Sequence, residues 1–289
     1  VLNYGSQTII PKEFESLVKN RNAFSIKPFL RAYDSILKED IFDSVNELPF
    51  VIVGSGLAAI EVSYALRKRW GDRPLKLLCD SRKINNKILK SLRNSNIDLV
   101  EKLNFDYGKI LLCTGNTSPL WAQKKLLDSD SYGRIITNQN LQIKSFSGIF
   151  AVGDCAVVGS AKRPASGVFA VKVVNTLVQN LKKDIEGRSL KKWFPQKIGL
   201  QIVNIFPSHH PKAFAIYRNF VFGPSFIFWI LKHKIDLNFI KKFRSKRLIM
   251  KSSEKNISLN DCRGCAAKIP QFVLNKSLIN SNLNSFASS

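Results

Sequence analysis

The chain of 289 residues is long enough for two domains of ordinary size, and its 45% apolar composition is that of a folded protein, not a disordered one. A formal net charge of +24 raises nucleic acid, an anionic membrane surface or anionic cofactors as partners. No block of five or more Lys/Arg interleaves with aromatic residues, which speaks against a nucleic-acid tract, and Lys, Asn, Ile and Ser are spread along the whole chain as in products of AT-rich genomes.

In chain order, the apolar run Leu48–Val53 predicts a buried strand, followed by Gly54-Ser-Gly-Leu-Ala-Ala-Ile-Glu61 and a helix to about Arg69 with Val62, Ala65 and Leu66 on one face. Leu75–Cys79 predicts a second strand ending in Asp80, then a helix over Ile84–Leu92 and strands at Ile97–Val100 and Lys109–Cys113. Strands alternating with helices imply a parallel sheet covered on both faces. Past Gly115 the pattern gives short strands at Gly133–Thr137 and Gly148–Val152, and a long helix over Ser166–Leu181. Two β-rich runs follow (Leu200–Ile205, Ala213–Phe222), then a basic amphipathic helix over Ser225–Arg244 and a polar linker over Ser245–Asn260. There are no internal repeats.

The five cysteines (Cys79, Cys113, Cys155, Cys262, Cys265) are odd in number and accompany no secretory signal, which points to a reducing, cytoplasmic compartment. No apolar stretch reaches the roughly 18 residues needed to span a bilayer. The longest, Phe220–Leu231, is broken by Gly223-Pro224, so a soluble or peripheral protein is expected. The chain starts at Val1 without Met, in what reads as the middle of a strand or loop; a truncated gene product and an alternative start codon both account for this.

Gly54-x-Gly56-x-x-Ala59 lies between a strand and a helix, the context a dinucleotide fingerprint requires. Gly54 permits the tight turn, Gly56 lets the backbone approach a pyrophosphate, and Ala59 allows close helix–strand packing. Glu61, in the first turns of the same helix, joins the cofactor-binding candidates. The helix N-terminus offers unpaired N–H groups to phosphates. Asp80, 24 residues after Gly56, stands where an acidic residue binds a ribose 2′-hydroxyl. Arg82 and Lys83 beside it suit a 2′-phosphate, so NAD(H) is favoured and NADP(H) stays open.

Gly148-Ile-Phe-Ala-Val-Gly-Asp154 is a strand ending in Gly-Asp, with Gly153 and Asp154 placed to meet the ribityl chain of FAD. Here the sequence resembles the FAD-dependent pyridine nucleotide-disulfide oxidoreductases, within them the NADH dehydrogenase-like group. Further segments match in order. Cys113-Thr-Gly115 resembles the family's Ala-Thr-Gly turn between domains. Arg163-Pro-Ala-Ser-Gly-Val-Phe-Ala170, which contains Gly167, resembles the stretch opening the helix that faces the isoalloxazine. Gly5-Ser6 and Lys27-Pro28 resemble the end of the first flavin half and the crossover. The resemblance implies an α/β fold of two dinucleotide-binding domains, with a Rossmann-like NAD domain inserted in an FAD domain. It implies hydride transfer from nicotinamide to FAD and on to a quinone or other small-molecule acceptor. No Cys-x4-Cys pair precedes the nicotinamide domain, so disulfide reduction is not expected. The family's first glycine motif, which holds the FAD pyrophosphate, has no counterpart here and is expected upstream of Val1 or on a separate chain; the FAD domain is incomplete.

Gly264-Cys-Ala-Ala-Lys-Ile269 resembles the N-terminal active-site loop of selenophosphate synthetase (selenide, water dikinase), a family fused to oxidoreductases of this kind. Cys265 and Lys268 take the positions of its selenium-handling and phosphate-contacting residues, while Ala267 stands where many members carry a second cysteine. The expected division is the end of the first FAD half at 1–46, an NAD(P) domain at 47–117 and the second FAD half at 118–190. A β-rich segment with the basic helix covers 191–245, a linker 246–260, and the start of a synthetase-like domain 261–289. Lys232–Lys251 holds eight Lys/Arg against the single acid Asp236. This basic helix, within 225–251, either contacts the cytoplasmic membrane face or packs its apolar face (Phe226, Ile230, His233, Leu237, Ile240) on the flavin domain; packing is the simpler reading. The three histidines form no ligand spacing and no metal site is expected.

Overall fold

The computed structural model describes residues 1–41, 48–119, 127–159, 165–196, 199–206 and 210–244. The chain forms two compact units, 1–236 and 237–289, and the fold below is that of the first. It opens with β1 (Gln7–Thr8), α1 (Glu15–Lys19), β2 (Ala23–Ser25) and α2 (Phe29–Ile41). Next come β3 (Phe50–Val53), α3 (Leu57–Trp70), β4 (Leu75–Leu78), α4 (Asn86–Asn94), β5 (Asp98–Val100) and β6 (Ile110–Leu112).

Five of these strands make one parallel sheet in the order β2-β6-β3-β4-β5. All four residues of β3 and all three of β6 are buried, because helices cover one face and loops with α1 the other. Alternation divides them. Phe50 and Ile52 face α3 and join Tyr64, Trp70, Leu77 and Leu92, while Val51, Val53, Ile110 and Leu112 face Phe14 and Ala23. Arg73, at the α3–β4 turn, lies 3.0 Å from Glu39 of α2, with its guanidinium 4.5 Å from the Trp70 ring and 5.5 Å from that of Phe50. Its side chain is 2% exposed, so this pair ties α2 to the sheet from inside the core.

The sequence-based boundary at 46/47 divides this sheet. β2, from the preceding residues, pairs with β6 through Ala23↔Ile110 and supplies its fifth strand. Three residues flanked by short helices carry too little periodicity to be read as a strand, and it is the pairing that buries them.

β7 (Asn116–Thr117) runs antiparallel to β1, with Gln7 opposite Thr117. A second small body follows: β8 (Ile135–Thr137) pairs in parallel with β9 (Ala156–Val158), and α5 (Gly167–Lys172) leads into α6 (Val174–Ile185). The expected single helix over Ser166–Leu181 is thus two helices meeting at Val173. Single bridges join Leu2 to Ala151 and Gln142 to Phe150. The β-rich remainder is a meander of β10 (Gln201–Ile205), β11 (Lys212–Tyr217) and β12 (Phe220–Ser225). The run Ala213–Phe222 is folded at Arg218, whose φ of 54° makes the hairpin turn. Val203, Ile205 and Phe214 pack into the core around α3, which therefore lies between sheet and meander.

The closing helix α7 (Phe226–Arg244) does not bury the expected apolar face: Phe226, Ile230, Leu237 and Ile240 are all exposed. In α3, Leu66 is buried and Val62 half-buried, but Ala65 is exposed. No helix among the described residues is long and apolar enough to cross a membrane.

Candidate cofactor site

At the C-terminal end of β3 the chain turns sharply into α3. Gly54 has φ +146°, and a Cβ there would lie 2.5 Å from the Cys113 carbonyl oxygen and 3.3 Å from Ala59 Cβ. Glycine is therefore required twice, by conformation and by the close approach of the chain leaving β6. Ala59 is fully buried against this turn, which sets how closely α3 approaches the strand ends. Gly56 is the N-cap of α3, with no side-chain cap and nothing within 4 Å of where a Cβ would stand. The first amides of a 14-residue helix thus open onto free space at a glycine, the geometry that receives a pyrophosphate.

Asp80 follows β4, the strand next to β3. Its backbone N–H donates to Ser55 Oγ at 2.9 Å, bringing the fingerprint turn and the acidic residue together. The carboxylate accepts from Arg82 Nε at 2.9 Å and lies 3.6 Å from Lys83 Nζ. The Arg82 hydrogen bond holds its carboxyl below the ordinary carboxylate range. A bound ribose would share the carboxylate with Arg82.

A second constellation joins the two bodies. Gly153 has φ +78°, and a Cβ there would meet Asn3 Oδ1 at 2.5 Å. Asp154 follows it, with its Oδ2 accepting from Lys27 Nζ at 2.8 Å and from Ser6 Oγ at 3.1 Å; Lys27 Nζ also donates to Ser6 Oγ at 2.9 Å. Ser6 precedes β1 and Lys27 follows β2, so the carboxylate is gripped from the crossover and from the nicotinamide sheet. Gly115, with φ +109°, accepts from Ile9 N–H at 3.1 Å where β1 and β7 pass. Thr114 Oγ1 donates to the Ile9 carbonyl at the same point.

Two candidates take other places. The Glu61 carboxylate faces the meander: it accepts from Asn204 N–H at 3.3 Å and pairs with Lys232 of α7, so its partners here are β10 and the closing helix. Gly167 is the exposed first residue of α5, with open space around it. The cavity beside α5, lined by Val152, Gly153, Ser166, Phe169 and Trp193, has about 50 Å3, room for a water or two and not for a flavin ring. A flavin would instead meet Asp154 on its open side, next to Ser6 and Lys27. These residues fit the ribityl end of FAD. No second Gly-x-Gly-x-x-Gly/Ala turn stands among the described residues to hold its pyrophosphate.

The long-range partners Ser6, Lys27 and Lys232 had no local signal as site residues in the sequence, beyond the Gly5-Ser6 and Lys27-Pro28 matches. Burial pushes the Cys113 thiol up to about 12 and raises those of Cys79 and Cys155, so none of the three supplies a thiolate near neutral pH. No metal-holding cluster occurs among the described residues. Arg163 and Pro164, His209, Cys262, Cys265, Lys268, the linker 246–260 and the whole segment 261–289 lie outside the described residues.

No family profile matches the sequence. Among curated proteins, the chain is 24% identical over 232 residues to Ferroptosis suppressor protein 1 of Homo sapiens, covering 68% of this chain and 58% of that protein. It is 26% identical over 176 residues to a "Probable NADH dehydrogenase" of Dictyostelium discoideum, covering 45% of this chain and 39% of that protein. Among solved structures, the sulfide:quinone oxidoreductase of Aquifex aeolicus superposes with a TM-score of 0.58 at 16% identity, over 83% of this chain and 68% of that one. The fold is that of the two-dinucleotide-binding flavoprotein oxidoreductases. The chain spans less than two thirds of the length of both curated relatives.

Proposed function

We propose that this flavoprotein-like chain is the nicotinamide-binding domain and second flavin-binding half of an FAD-dependent NAD(P)H oxidoreductase. One observation carries the reading. The chain leaving β6 packs its Cys113 carbonyl on Gly54, and two residues later Gly115 pairs with the strand segment beside Ser6, the residue that holds Asp154. A nicotinamide-type turn and a ribityl-type carboxylate are thereby set on one short framework.

In this reading Gly54, Gly56, Ala59 and the α3 N-terminus receive the pyrophosphate, and Asp80 receives the ribose, with NAD(H) favoured and NADP(H) open through Arg82 and Lys83. Gly153 and Asp154 hold the ribityl chain, Gly115 shapes the crossover, and Lys27 orients the Asp154 carboxylate. FAD, when bound, would take up a hydride from reduced nicotinamide and pass electrons to a quinone or other small acceptor; the protein aligns the two rings. A first flavin half, upstream of Val1 or on a separate chain, would complete the pyrophosphate site. Peripheral membrane contact through 225–251 is supported by the exposed apolar side chains of α7 beside its lysines. A link to selenium metabolism rests on Gly264–Ile269 alone, with Cys265 and Lys268 as its residues.

The test is the visible spectrum of the purified chain with FAD and then NADH. A protein-bound flavin band that bleaches with NADH is the expected result once the first flavin half is supplied. Failure to bind NADH with or without FAD would overturn the proposal.

A further inference from the structure

Away from the cofactor site, a cleft of about 910 Å3 opens between the C-terminal end of α3, α4 and the meander. That volume lies in the range of small-molecule sites. Its floor is apolar, formed by Ile205, Phe206, Pro224 and the indole of Trp229. Trp229 is held in a stack, 5.6 Å from the Phe226 ring and 5.1 Å from that of His233, both nearly parallel to it.

The rim is cationic and its charges come from separate elements. Lys68 of α3 sits 4.6 Å above the Phe206 ring, and Lys87 of α4 reaches across to the Val221 carbonyl at 3.2 Å. Lys90 of α4 and Lys212 of β11 line the same space, exposed and with no carboxylate partner among the described residues. Asp72 is the one acid among the lining residues. A concave surface of one sign over a low-dielectric floor concentrates field and anions.

We propose that this cleft binds a phosphate ester with an apolar or ring portion, its phosphates on Lys90 and Lys212 and its apolar part on the Phe206–Trp229 floor. A soluble nucleotide and an anionic phospholipid headgroup share that chemistry. The site is independent of the nicotinamide turn: no residue of Gly54–Ala59 lines it.

Calorimetric titration of the full chain with ATP, and co-sedimentation with phosphatidylglycerol-containing against pure phosphatidylcholine vesicles, tests the proposal on three backgrounds. These are Lys90→Glu with Lys212→Glu; the control Lys144→Glu with Lys182→Glu, which makes the same charge change on lysines elsewhere; and Gly56→Asp, which blocks the nicotinamide turn. The cleft pair weakens one of the two ligands at least about tenfold, as expected for lost charge-assisted hydrogen bonds, while the control pair and Gly56→Asp leave that binding intact. Loss of ATP binding identifies a soluble ligand, and loss of vesicle binding a lipid headgroup. Equal losses in both lysine pairs, or no loss in the cleft pair, would overturn the proposal; loss in Gly56→Asp alone would assign the ATP to the nicotinamide turn and overturn it likewise. Circular dichroism confirms that each variant is folded.

Discussion

The strand Phe50–Val53, in the proposed nicotinamide half, and the stretch Phe150–Val152, in the proposed flavin half, each end in a glycine turn, yet their surroundings differ sharply. The first lies in a five-stranded sheet, with Phe50 and Ile52 in a large core that includes Tyr64, Trp70, Leu92 and, from the meander, Phe214, and with Val51 and Val53 in a smaller cluster on the other face. The second is held by single bridges to Leu2 and Gln142, and its side chains fall into two small clusters, one with Leu141 and Val173 and one with Ile135 and Ile143. Around it Val168, Val171, Val174 and Val178 stay exposed on α5 and α6. The nicotinamide half carries its own hydrophobic stabilisation, whereas the flavin half leaves apolar surface in water. Cooperativity should therefore be unequal, with the flavin half opening at lower cost.

The largest test of that contrast is Arg73→Ala. It strands the Glu39 carboxylate in the core and should cost about 3–5 kcal/mol in urea unfolding; a loss under about 1 kcal/mol would mean that α2 is not held from within. Gly54→Ala comes next. A methyl group 2.5 Å from a backbone carbonyl, at a positive φ, should cost about 2–3 kcal/mol and abolish NADH binding by calorimetry, leaving the flavin half's far-ultraviolet signature in place. Asp80→Asn should leave stability unchanged and weaken NADH binding about tenfold. Unchanged affinity would remove Asp80 from the ribose site. Lys27→Ala, which cuts the tie between halves, should lower stability by about 1 kcal/mol or less because the pair is part-exposed. It should also speed amide exchange at Val152 more than at Leu111, and equal acceleration would contradict separate opening.

The smallest effect is a pH dependence. The Arg69 hydrogen bond holds the Asp40 carboxyl below its ordinary range, with Trp70 Nε1 donating to it at 2.6 Å. A lowered folded value stabilises the fold fully above the unfolded value of about 3.9, and the contribution is lost as pH falls through the folded value. Arg69→Gln should raise the Asp40 titration midpoint toward the ordinary value, read by carboxyl NMR.

The β3–α3 turn was legible because its signal is local: a buried strand, two glycines and an alanine at fixed offsets, then a helix. The position of Asp80, just past the end of the neighbouring strand, was legible for the same reason. β2 was not. It is three residues long and is defined by a partner 87 positions away, as its Ala23 pairs with Ile110. The Lys27–Asp154 and Glu61–Lys232 pairs join residues still further apart, and no periodicity or composition records such contacts. Glu61 shows how such contacts add partners that local reading does not supply. Its place in a fingerprint helix suggested the cofactor, but the meander, invisible to local reading, supplied Asn204 and Lys232 as partners. The exposed face of α7 was misjudged because amphipathic spacing says which side chains align and not whether anything covers them.

The ribbon of β1 and β7 has an architectural consequence. The chain enters the nicotinamide sheet past Ile9 and leaves it at Gly115, and those two residues are hydrogen-bonded at 3.1 Å. A segment whose ends already touch behaves as a cassette: deleting it leaves flanks within reach of a tight turn, and inserting it elsewhere adds little closure entropy to the host. The exception is the meander, whose Val203, Ile205 and Phe214 pack around α3, so an exchange of the stretch between Thr8 and Gly115 would have to carry a matching meander with it.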